Sequence, residues 1–349
     1  ELSTKKRDLF KSFFLKYKYN FNFEKLKKFK KFKTIIIIGM GGSILGSKAI
    51  YDFLRFKIKK KFIFIDNLDQ SYLEEVKKKN NLKNSLFLII SKSGNTIETI
   101  INTNLLLKKG HKNIFITENK KSYLYLLAEK LKADIVDHNN FIGGRYSVLS
   151  EVGMLPAELM GLDSRKFKNL NMLVKNKNFI NSLISNVSST LYFIKNQKYN
   201  SVIVNYDEKS QNLFNWYQQL IAESLGKKKK GLLPIISNMP KDNHSTMQLY
   251  LDGFKNNFFT FFYVNEKKSE KIKNNNILSS QYYLKNKDLS KVTLLQKKAT
   301  ENVFKNKNIP FRSFEIKKRD EQALGELFCF FILETILLGR MLNINPYDQ

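Results

Sequence analysis

The chain has 349 residues, of which 42% are hydrophobic, and a formal net charge of +30. This length and apolar share are typical of a globular protein with a large core, divided between two domains. The charge alone would suggest a nucleic-acid or membrane partner, but only seven of the 61 basic residues are Arg and the lysines are spread along the whole chain. We therefore expect a solvated basic surface with no nucleic-acid and no membrane partner.

The first residues mix charged and aromatic side chains without a continuous apolar stretch, so they do not form a signal peptide. Cys329 is the single cysteine, which excludes an intramolecular disulfide and favours a cytoplasmic protein. The strongest apolar run, residues 327–339, contains Glu334 and is too short to span a bilayer, so it predicts a buried helix.

Short apolar runs alternate with helical patterns over about residues 30–140. The predicted strands are TIIIIGM, KFIFID, SLFLIISKS, KNIFITE and ADIVDH. This alternation predicts a doubly wound parallel sheet, an α/β/α sandwich. We assign residues 1–185 to this first domain, including the mostly helical stretch at about 150–195 that leads out of it.

A second α/β series begins at NSVIVNYD (200–207). It continues with a helix through LFNWYQQLIAESLG, the run FFTFFYVN, a lysine-rich helix near 289–308 and the run IPFRSFEIK, while residues 267–280 read as a polar surface loop. We assign residues 186–349 to a second parallel-sheet domain, related to the first.

The stretch TIIIIGMGGSILGS (34–47) passes from a buried strand into small residues. Gly39, Gly41 and Gly42 permit a sharp turn and close approach of a ligand, and a helix over about Leu45–Phe56 would attract an anion, most simply a phosphate. A dinucleotide fold is the alternative, with Asp66 as the ribose-binding acid, but its third glycine should stand at position 44, which is Ile44. A plain turn without a ligand is the other alternative.

The third predicted strand ends in SKSGNTIET (91–99), which brings hydroxyl groups to the start of the next helix. Ser91, Ser93 and Thr96 supply three hydroxyls and Gly94 supplies an unhindered N–H, which together can bind a phosphate. One hydroxyl would suffice for ordinary helix capping, the alternative interpretation. Because this strand should neighbour the one before the glycines, both loops are expected at one crevice.

GGRYSVLS (143–150) follows the fifth predicted strand. Gly143 and Gly144 would bring Arg145 close to the crevice, where its permanent charge suits stabilisation of an oxyanion. A structural salt bridge is the alternative role for Arg145.

Gln219 and Glu223 stand four residues apart in YQQLIAESLGK (217–227), so they share one helix face. A carboxylate near a helix C-terminus is suited to act as a general base, and an exposed surface glutamate is the alternative. His244 lies in a Pro- and Asn-rich loop before a helix and could carry protons or simply be solvated. The spacing of the three histidines suggests no metal site.

Taken in order, these blocks resemble the phosphoglucose isomerase family. They are GMGGSILG, SKSGNTIET, GGRYSVLS, QQLIAESLGK, DNHSTMQLYLDG and the closing NINPYDQ, and they cover nearly the whole chain. The first two also occur in sugar-phosphate sensors, whereas the glutamate, arginine and histidine blocks are more particular to the isomerase. The resemblance implies two sugar-isomerase domains, in agreement with the two α/β halves.

The resemblance also implies roles for individual residues. Glu223 would move the proton between C1 and C2, Arg145 would stabilise the enediolate, and His244 would help to open the sugar ring. The substrate-binding positions would be Gly42, Ser43, Ser91, Lys92, Ser93, Thr96, Gly144, Gln219 and Gln349. No metal or organic cofactor is implied.

The implied activity is the interconversion of glucose 6-phosphate and fructose 6-phosphate by a homodimer in which His244 reaches the partner's site. A dual phosphoglucose/phosphomannose isomerase and a non-catalytic sugar-phosphate-binding regulator are the alternatives. In the family a substrate-contacting lysine follows the closing Asp-Gln pair, but this chain ends at Gln349, which implies a truncated or degenerate member.

Overall fold

The computed structural model describes residues 9–266, 269–273 and 277–348. The chain divides into two compact units, Glu1–Asn181 with Leu324–Leu333 and Ser182–Ala323 with Glu334–Gln349. The boundary that we placed after residue 185 stays a prediction about the domains.

The first unit contains a five-stranded, fully parallel sheet. Its strands are β1 (Thr34–Gly39), β2 (Lys61–Ile65), β3 (Ser85–Ile90), β4 (Lys112–Thr117) and β5 (Asp134–Asp137), in the order β2-β1-β3-β4-β5. After a short α1 (Phe23–Lys27), the connecting helices are α2 (Leu45–Phe53), α3 (Gln70–Lys79), α4 (Ile97–Leu106) and α5 (Tyr123–Lys130). The predicted sheet is confirmed, and its direction of winding reverses between β1 and β3, where such folds form a crevice.

Isoleucine and phenylalanine fill the core of this sheet. All six residues of β3 are buried, as are the four isoleucines of β1, because helices cover both faces of a parallel sheet. One buried cluster joins Ile36, Ile38, Phe87 and Phe115 to the apolar faces of the helices. The core therefore fixes the strand ends from which the predicted site loops extend.

Three helices follow the first sheet: α6 (Glu151–Met160), α7 (Leu170–Leu173) and α8 (Lys177–Lys195). They confirm the mostly helical stretch predicted at 150–195. Gly161 ends α6 in the left-handed conformation, with φ of 88°, as is usual after a helix.

The second unit contains a four-stranded parallel sheet. Its strands are β6 (Asn200–Asn205), β7 (Leu233–Asn238), β8 (Asn257–Val264) and β9 (Phe311–Ile316), in the order β7-β6-β8-β9. The helices are α9 (Gln211–Leu225), α10 (Met247–Asp252), α11 (Leu289–Asn306) and α12 (Glu321–Met341). The sequence predicted this sheet except for β7, for whose residues no strand was predicted.

Two further expectations need correction. The helix after β1 ends at Phe53, and a separate 3-10 turn, Arg55–Lys57, follows it. The apolar run near the C-terminus belongs to a longer helix than expected, α12, whose 21 residues are long and apolar enough to cross a membrane by length and composition alone. The expected burial is confirmed, since 72% of its apolar window is covered within the chain, as in a core helix.

Candidate active site

The loop after β1 packs directly against the loop that carries Arg145. We call residues 39–44 the glycine loop and residues 143–147 the arginine loop. A Cβ atom added to Gly42 would lie 2.2 Å from the carbonyl carbon of Gly144, so only glycine allows this contact. The glycine at position 42 thus makes room for backbone, where the sequence suggested room for a ligand. Ser43 beside it is half-buried.

The hydroxyl loop, residues 91–96, gathers the predicted hydroxyl groups after β3. Ser91 and Thr96 hydroxyls lie 2.9 Å apart, and the Gly94 N–H donates to Ser91 Oγ at 3.2 Å. Ser93 is exposed, and its hydroxyl lies 3.5 Å from that of Thr96. Gly94 adopts a φ of +67°, in the left-handed region that favours glycine. Because β1 pairs with β3, the glycine and hydroxyl loops extend from adjacent strands, as predicted.

The helices that follow these two loops begin without a side-chain cap. Ile44 and Thr96 occupy the N-cap positions of α2 and α4, and neither side chain accepts a helix N–H. By contrast, α3 is capped by Asp69 and α5 by Ser122. Ordinary capping therefore does not explain Thr96, and the first N–H groups of α2 and α4 are available to an anion.

Lys92 and Arg145 add positive charge at this edge of the first sheet. Lys92 Nζ donates to the carbonyl oxygen of Asn140 at 2.8 Å and lies 3.7 Å from Glu118. Burial lowers the pKa of Lys92, nearby Arg145 lowers it further, and Glu118 opposes both. Arg145 is only 2% exposed, and its guanidinium lies 5.1 Å from the ring centre of Tyr146.

His138 is a polar group at this edge that the sequence did not single out. It follows β5, is 1% exposed, and its Nε2 has no hydrogen-bond partner in the described part of the chain. Burial lowers its pKa to about 4, and the positive charge of Lys92 contributes to the shift. The only signal in the sequence was its position just past a strand end.

The acid that could have bound a ribose is already paired. Asp66, after β2, accepts from Lys48 Nζ at 2.6 Å. With Ile44 at the third glycine position, this ion pair leaves the dinucleotide alternative without its characteristic contacts.

In the second unit, Gln219 and Glu223 lie together on α9. Gln219 Nε2 donates to Glu223 Oε2 at 3.0 Å, which confirms the predicted shared face. Both side chains are half-buried, so the exposed alternative for Glu223 is wrong. Gln219 Oε1 is buried and has no hydrogen-bond partner among the described residues.

The last turn of α9 lies at the amino edge of the second sheet. The helix connects the carboxyl end of β6 to the amino end of β7, two parallel strands, so it runs opposite to them. Gln218 confirms this placement, because its Nε2 donates to the carbonyl oxygen of Pro234, near the start of β7, at 3.0 Å. Glu223 therefore lies far from the carboxyl edge of its own sheet.

His244 lies at the opposite edge of the second sheet. It ends a 3-10 helix, Lys241–His244, that follows the carboxyl end of β7, and it is exposed. Asp242 holds this turn by accepting the Asn238 N–H at 2.7 Å. The six residues of β7 alone span roughly 20 Å, so Glu223 and His244 of one chain do not meet within this unit.

Buried ion pairs occupy the rest of that carboxyl edge. Arg319, after β9, pairs with Asp207, after β6, at 2.5 Å and with Glu266, after β8, at 2.9 Å. Arg319 and Asp207 are both buried. Arg319 therefore has carboxylate partners at this edge.

Comparisons with known proteins decide the family. The family model for phosphoglucose isomerase matches residues 23–349. The chain is 34% identical to the glucose-6-phosphate isomerase of Methanocaldococcus jannaschii, over 95% of this chain and 84% of that protein. It is 31% identical to the Campylobacter jejuni enzyme of the same name, over 91% and 82% of the two chains.

This chain belongs to the phosphoglucose isomerase family. Its fold also matches a crystal structure of glucose-6-phosphate isomerase from Chlamydia trachomatis, with a TM-score of 0.75 and 20% identity over 93% of this chain and 69% of that one. A hypothetical protein from Thermus thermophilus, TT0462, gives a TM-score of 0.86 and 21% identity over 99% and 90%. At these identities the structures support the fold alone.

The predicted site positions are thus divided between the two units. The first unit brings together Gly42, Ser43, the hydroxyl loop, Gly144 and Arg145, and the second brings together Gln219 and Glu223, with His244 at the other edge. Gln349 lies outside the described residues. Within residues 9–266, 269–273 and 277–348, no group of three or more His, Cys, Asp or Glu side chains could hold a metal ion.

Proposed function

We propose that this family member interconverts glucose 6-phosphate and fructose 6-phosphate by ring opening and a cis-enediol intermediate. The observation that carries the proposal is Glu223, a half-buried carboxylate oriented by Gln219. A sugar-phosphate sensor needs the phosphate-binding loops but has no use for a base. The relatives named glucose-6-phosphate isomerase support the same substrate.

The phosphate group would bind to the first unit. The uncapped start of α4 and the hydroxyls of Ser91, Ser93 and Thr96 supply hydrogen-bond donors, and Ser43 with the backbone of Lys92 would complete the site. These contacts persist through the reaction, so they contribute to binding of substrate and transition state alike. Gly42, beside Ser43, lets the glycine loop reach the arginine loop.

Proton transfer would be the task of Glu223. Its carboxylate takes the proton from C2 of the open-chain aldose and returns it to C1, while the hydroxyl proton moves between the two oxygens. Arg145 stabilises the negative charge that develops on the enediolate, with Gly144 beside it. Gln219 and Gln349 would line the sugar. No cofactor is required, because the reaction needs a placed base and a partner for the oxyanion.

A coupled assay of glucose 6-phosphate conversion tests the proposal. We expect turnover by the native chain and no loss of substrate binding in Glu223→Gln. Binding of glucose 6-phosphate without turnover would instead identify a regulator. Turnover of mannose 6-phosphate at a comparable rate would identify the dual isomerase.

We also propose a homodimer in which His244 serves the partner's site and helps to open its sugar ring. His244 is exposed and lies at the opposite edge of the second sheet from Glu223, which supports supply from another subunit. Such an interface is isologous and gives two equivalent composite sites. The single cysteine, Cys329, supports a cytoplasmic enzyme.

Mixed dimers test the shared site. Glu223→Ala and His244→Ala homodimers should both be nearly inactive. After dissociation and reassociation in equal amounts, about half the dimers are mixed and each contains one intact site, so activity should return to roughly a quarter of native. Mass spectrometry confirms the exchange. Mixed dimers with no recovered activity would show that His244 acts within its own chain.

A further inference from the structure

The loop after α9 has an unusual backbone. We call residues 227–231 the lysine loop. Lys228 and Lys229 both lie in the left-handed region, with φ of 53° and 58°, and Gly231 has a φ of 138°. Two consecutive lysines in this conformation are costly, so contacts elsewhere must hold the loop in place.

Those contacts come from the last residues of the described chain. Lys230 Nζ donates to the carbonyl oxygen of Leu342 at 2.8 Å, and Lys228 Nζ lies 3.4 Å from that of Asn343. Lys227 Nζ donates to the carbonyl oxygen of Asn345 at 2.9 Å and also to that of Asp348. Three ammonium groups thus bind main-chain oxygens along residues 342–348, which we call the carboxyl-terminal segment.

Lys227 lies directly after the helix that carries the predicted base. The helix α9 ends at Leu225 and Gly226 leaves the helical conformation, so Lys227 follows the last turn, which contains Glu223, by two residues. An ammonium group has three donors and no acceptor, which suits it to join several carbonyl oxygens. Asp348, the later of its two partners in the sequence, immediately precedes Gln349.

We propose that Lys227 is a positioning residue that holds the carboxyl-terminal segment beside the end of α9 that carries Glu223. This inference rests on the proposed isomerase function, in which Gln349 lines the sugar. By binding main-chain oxygens, Lys227 fixes the path of the segment whatever its side chains are. The strained lysine loop supports the same role, because the contacts of Lys227, Lys228 and Lys230 determine its shape.

Substitution of Lys227 by methionine removes the donors and keeps the side-chain length. We expect Lys227→Met to lower kcat/KM by at least ~10-fold, because small misplacements of binding groups are costly. Amide hydrogen exchange should accelerate in the carboxyl-terminal segment and stay unchanged in β6 and β8. Lys227→Arg, which keeps several donors, should restore most of the activity and the protection. Lys229→Met is the matched control: its ammonium binds none of these oxygens, and its kinetics should be native.

A double-variant cycle separates positioning from direct contact with the substrate. If Lys227 acts through the segment, Lys227→Met should cost much less in a Gln349→Ala background than in the native chain. The inference would be overturned if the losses in kcat/KM of the two substitutions were fully independent. It would also be overturned if amide hydrogen exchange of the carboxyl-terminal segment stayed native in Lys227→Met. Absence of isomerase activity in the native chain would instead contradict the proposed function, and the exchange measurement would still show whether Lys227 holds the carboxyl-terminal segment.

Discussion

The carboxyl edges of the two parallel sheets are built differently. At the first, the loops after β1 and β3 lead into helices without side-chain caps, and hydroxyls, Lys92 and Arg145 gather there. At the second, Arg319 forms ion pairs with Asp207 and Glu266. The candidate base of the second unit, Glu223, lies in the last turn of α9, at the amino edge of the second sheet. The rule that open α/β sheets bind ligands at their carboxyl edge therefore points to the proposed phosphate site but not to the proposed base.

The proposed function gives the two units different tasks. Helix N-termini attract a phosphate, so the first unit leaves two of them uncapped. The second unit instead presents a side chain from the last turn of a helix, Glu223, held by Gln219 four residues before it. In the proposed function, binding and proton transfer would thus depend on different ends of helices, and the two can be tested separately.

The largest expected effect comes from removing the ion pairs of Arg319 at the carboxyl edge of the second sheet. Arg319→Leu should lower the free energy of unfolding by about 3–5 kcal/mol, because Asp207 would remain buried without its partner. Urea unfolding followed by the fluorescence of Trp216, the single tryptophan, reports on this unit. Lys209→Met, which removes an exposed ion pair to Glu266, is the control and should cost less than about 1 kcal/mol. Equal effects would show that the edge does not depend on Arg319.

The next largest effect is kinetic and concerns Glu223, at the amino edge of the second sheet. Glu223→Gln should lower kcat by at least ~10²-fold with KM nearly unchanged, since it removes a general base and keeps the side-chain shape. Glu208→Gln, the same change near the other end of α9, should leave the kinetics native. Steady-state assays of both variants check this. Native kcat in Glu223→Gln would contradict its role.

A pH-dependent effect on stability is expected from His138, at the carboxyl edge of the first sheet. His138 has a folded pKa of about 4, below the 6.5 of the unfolded chain, so the unfolded state binds more protons between these values. The free energy of unfolding should therefore decrease as the pH falls below about 6.5, and the decrease should reach about 2 kcal/mol near pH 5. His138→Gln should show a shallower pH dependence when unfolding is followed by circular dichroism. An unchanged slope would mean that His138 is protonated in the folded chain.

The smallest effect compares a capped helix with an uncapped one. Asp69→Ala should lower the unfolding midpoint by about 2–4 °C, because the carboxylate accepts the Tyr72 N–H at 3.0 Å. Thr96→Ala should change the midpoint less and raise KM for the phosphorylated sugar, since its hydroxyl caps nothing. Thermal unfolding and kinetics of both variants check this. A larger midpoint loss for Thr96→Ala would make it a structural cap.

Strong local patterns made much of the fold predictable. The apolar runs of β1 and β3 are buried on both faces, so their sequences are continuous and easy to recognise. β7 was missed because it is an edge strand: it contains Pro234, only part of it is buried, and Pro240 follows it closely. An edge strand need not show a continuous apolar run.

The candidate site was predictable where chemistry is concentrated in one loop or one helix turn. The hydroxyl loop and the Gln219–Glu223 pair are local patterns that the sequence displays directly. The contact of Gly42 with Gly144 and the bonds of Lys227 join residues more than 100 positions apart, and the burial of His138 depends on the whole sheet. Such features arise from tertiary structure and leave no local signal.

The central claim is that the first unit binds the phosphate group and Glu223 transfers the proton. Calorimetric titration of glucose 6-phosphate into two variants tests it most directly. Glu223→Gln should bind with native affinity, and Ser91→Ala/Thr96→Ala should bind at least ~10-fold more weakly, because hydrogen bonds to a charged group are lost. Native affinity in the hydroxyl variant together with weakened binding in Glu223→Gln would contradict the account.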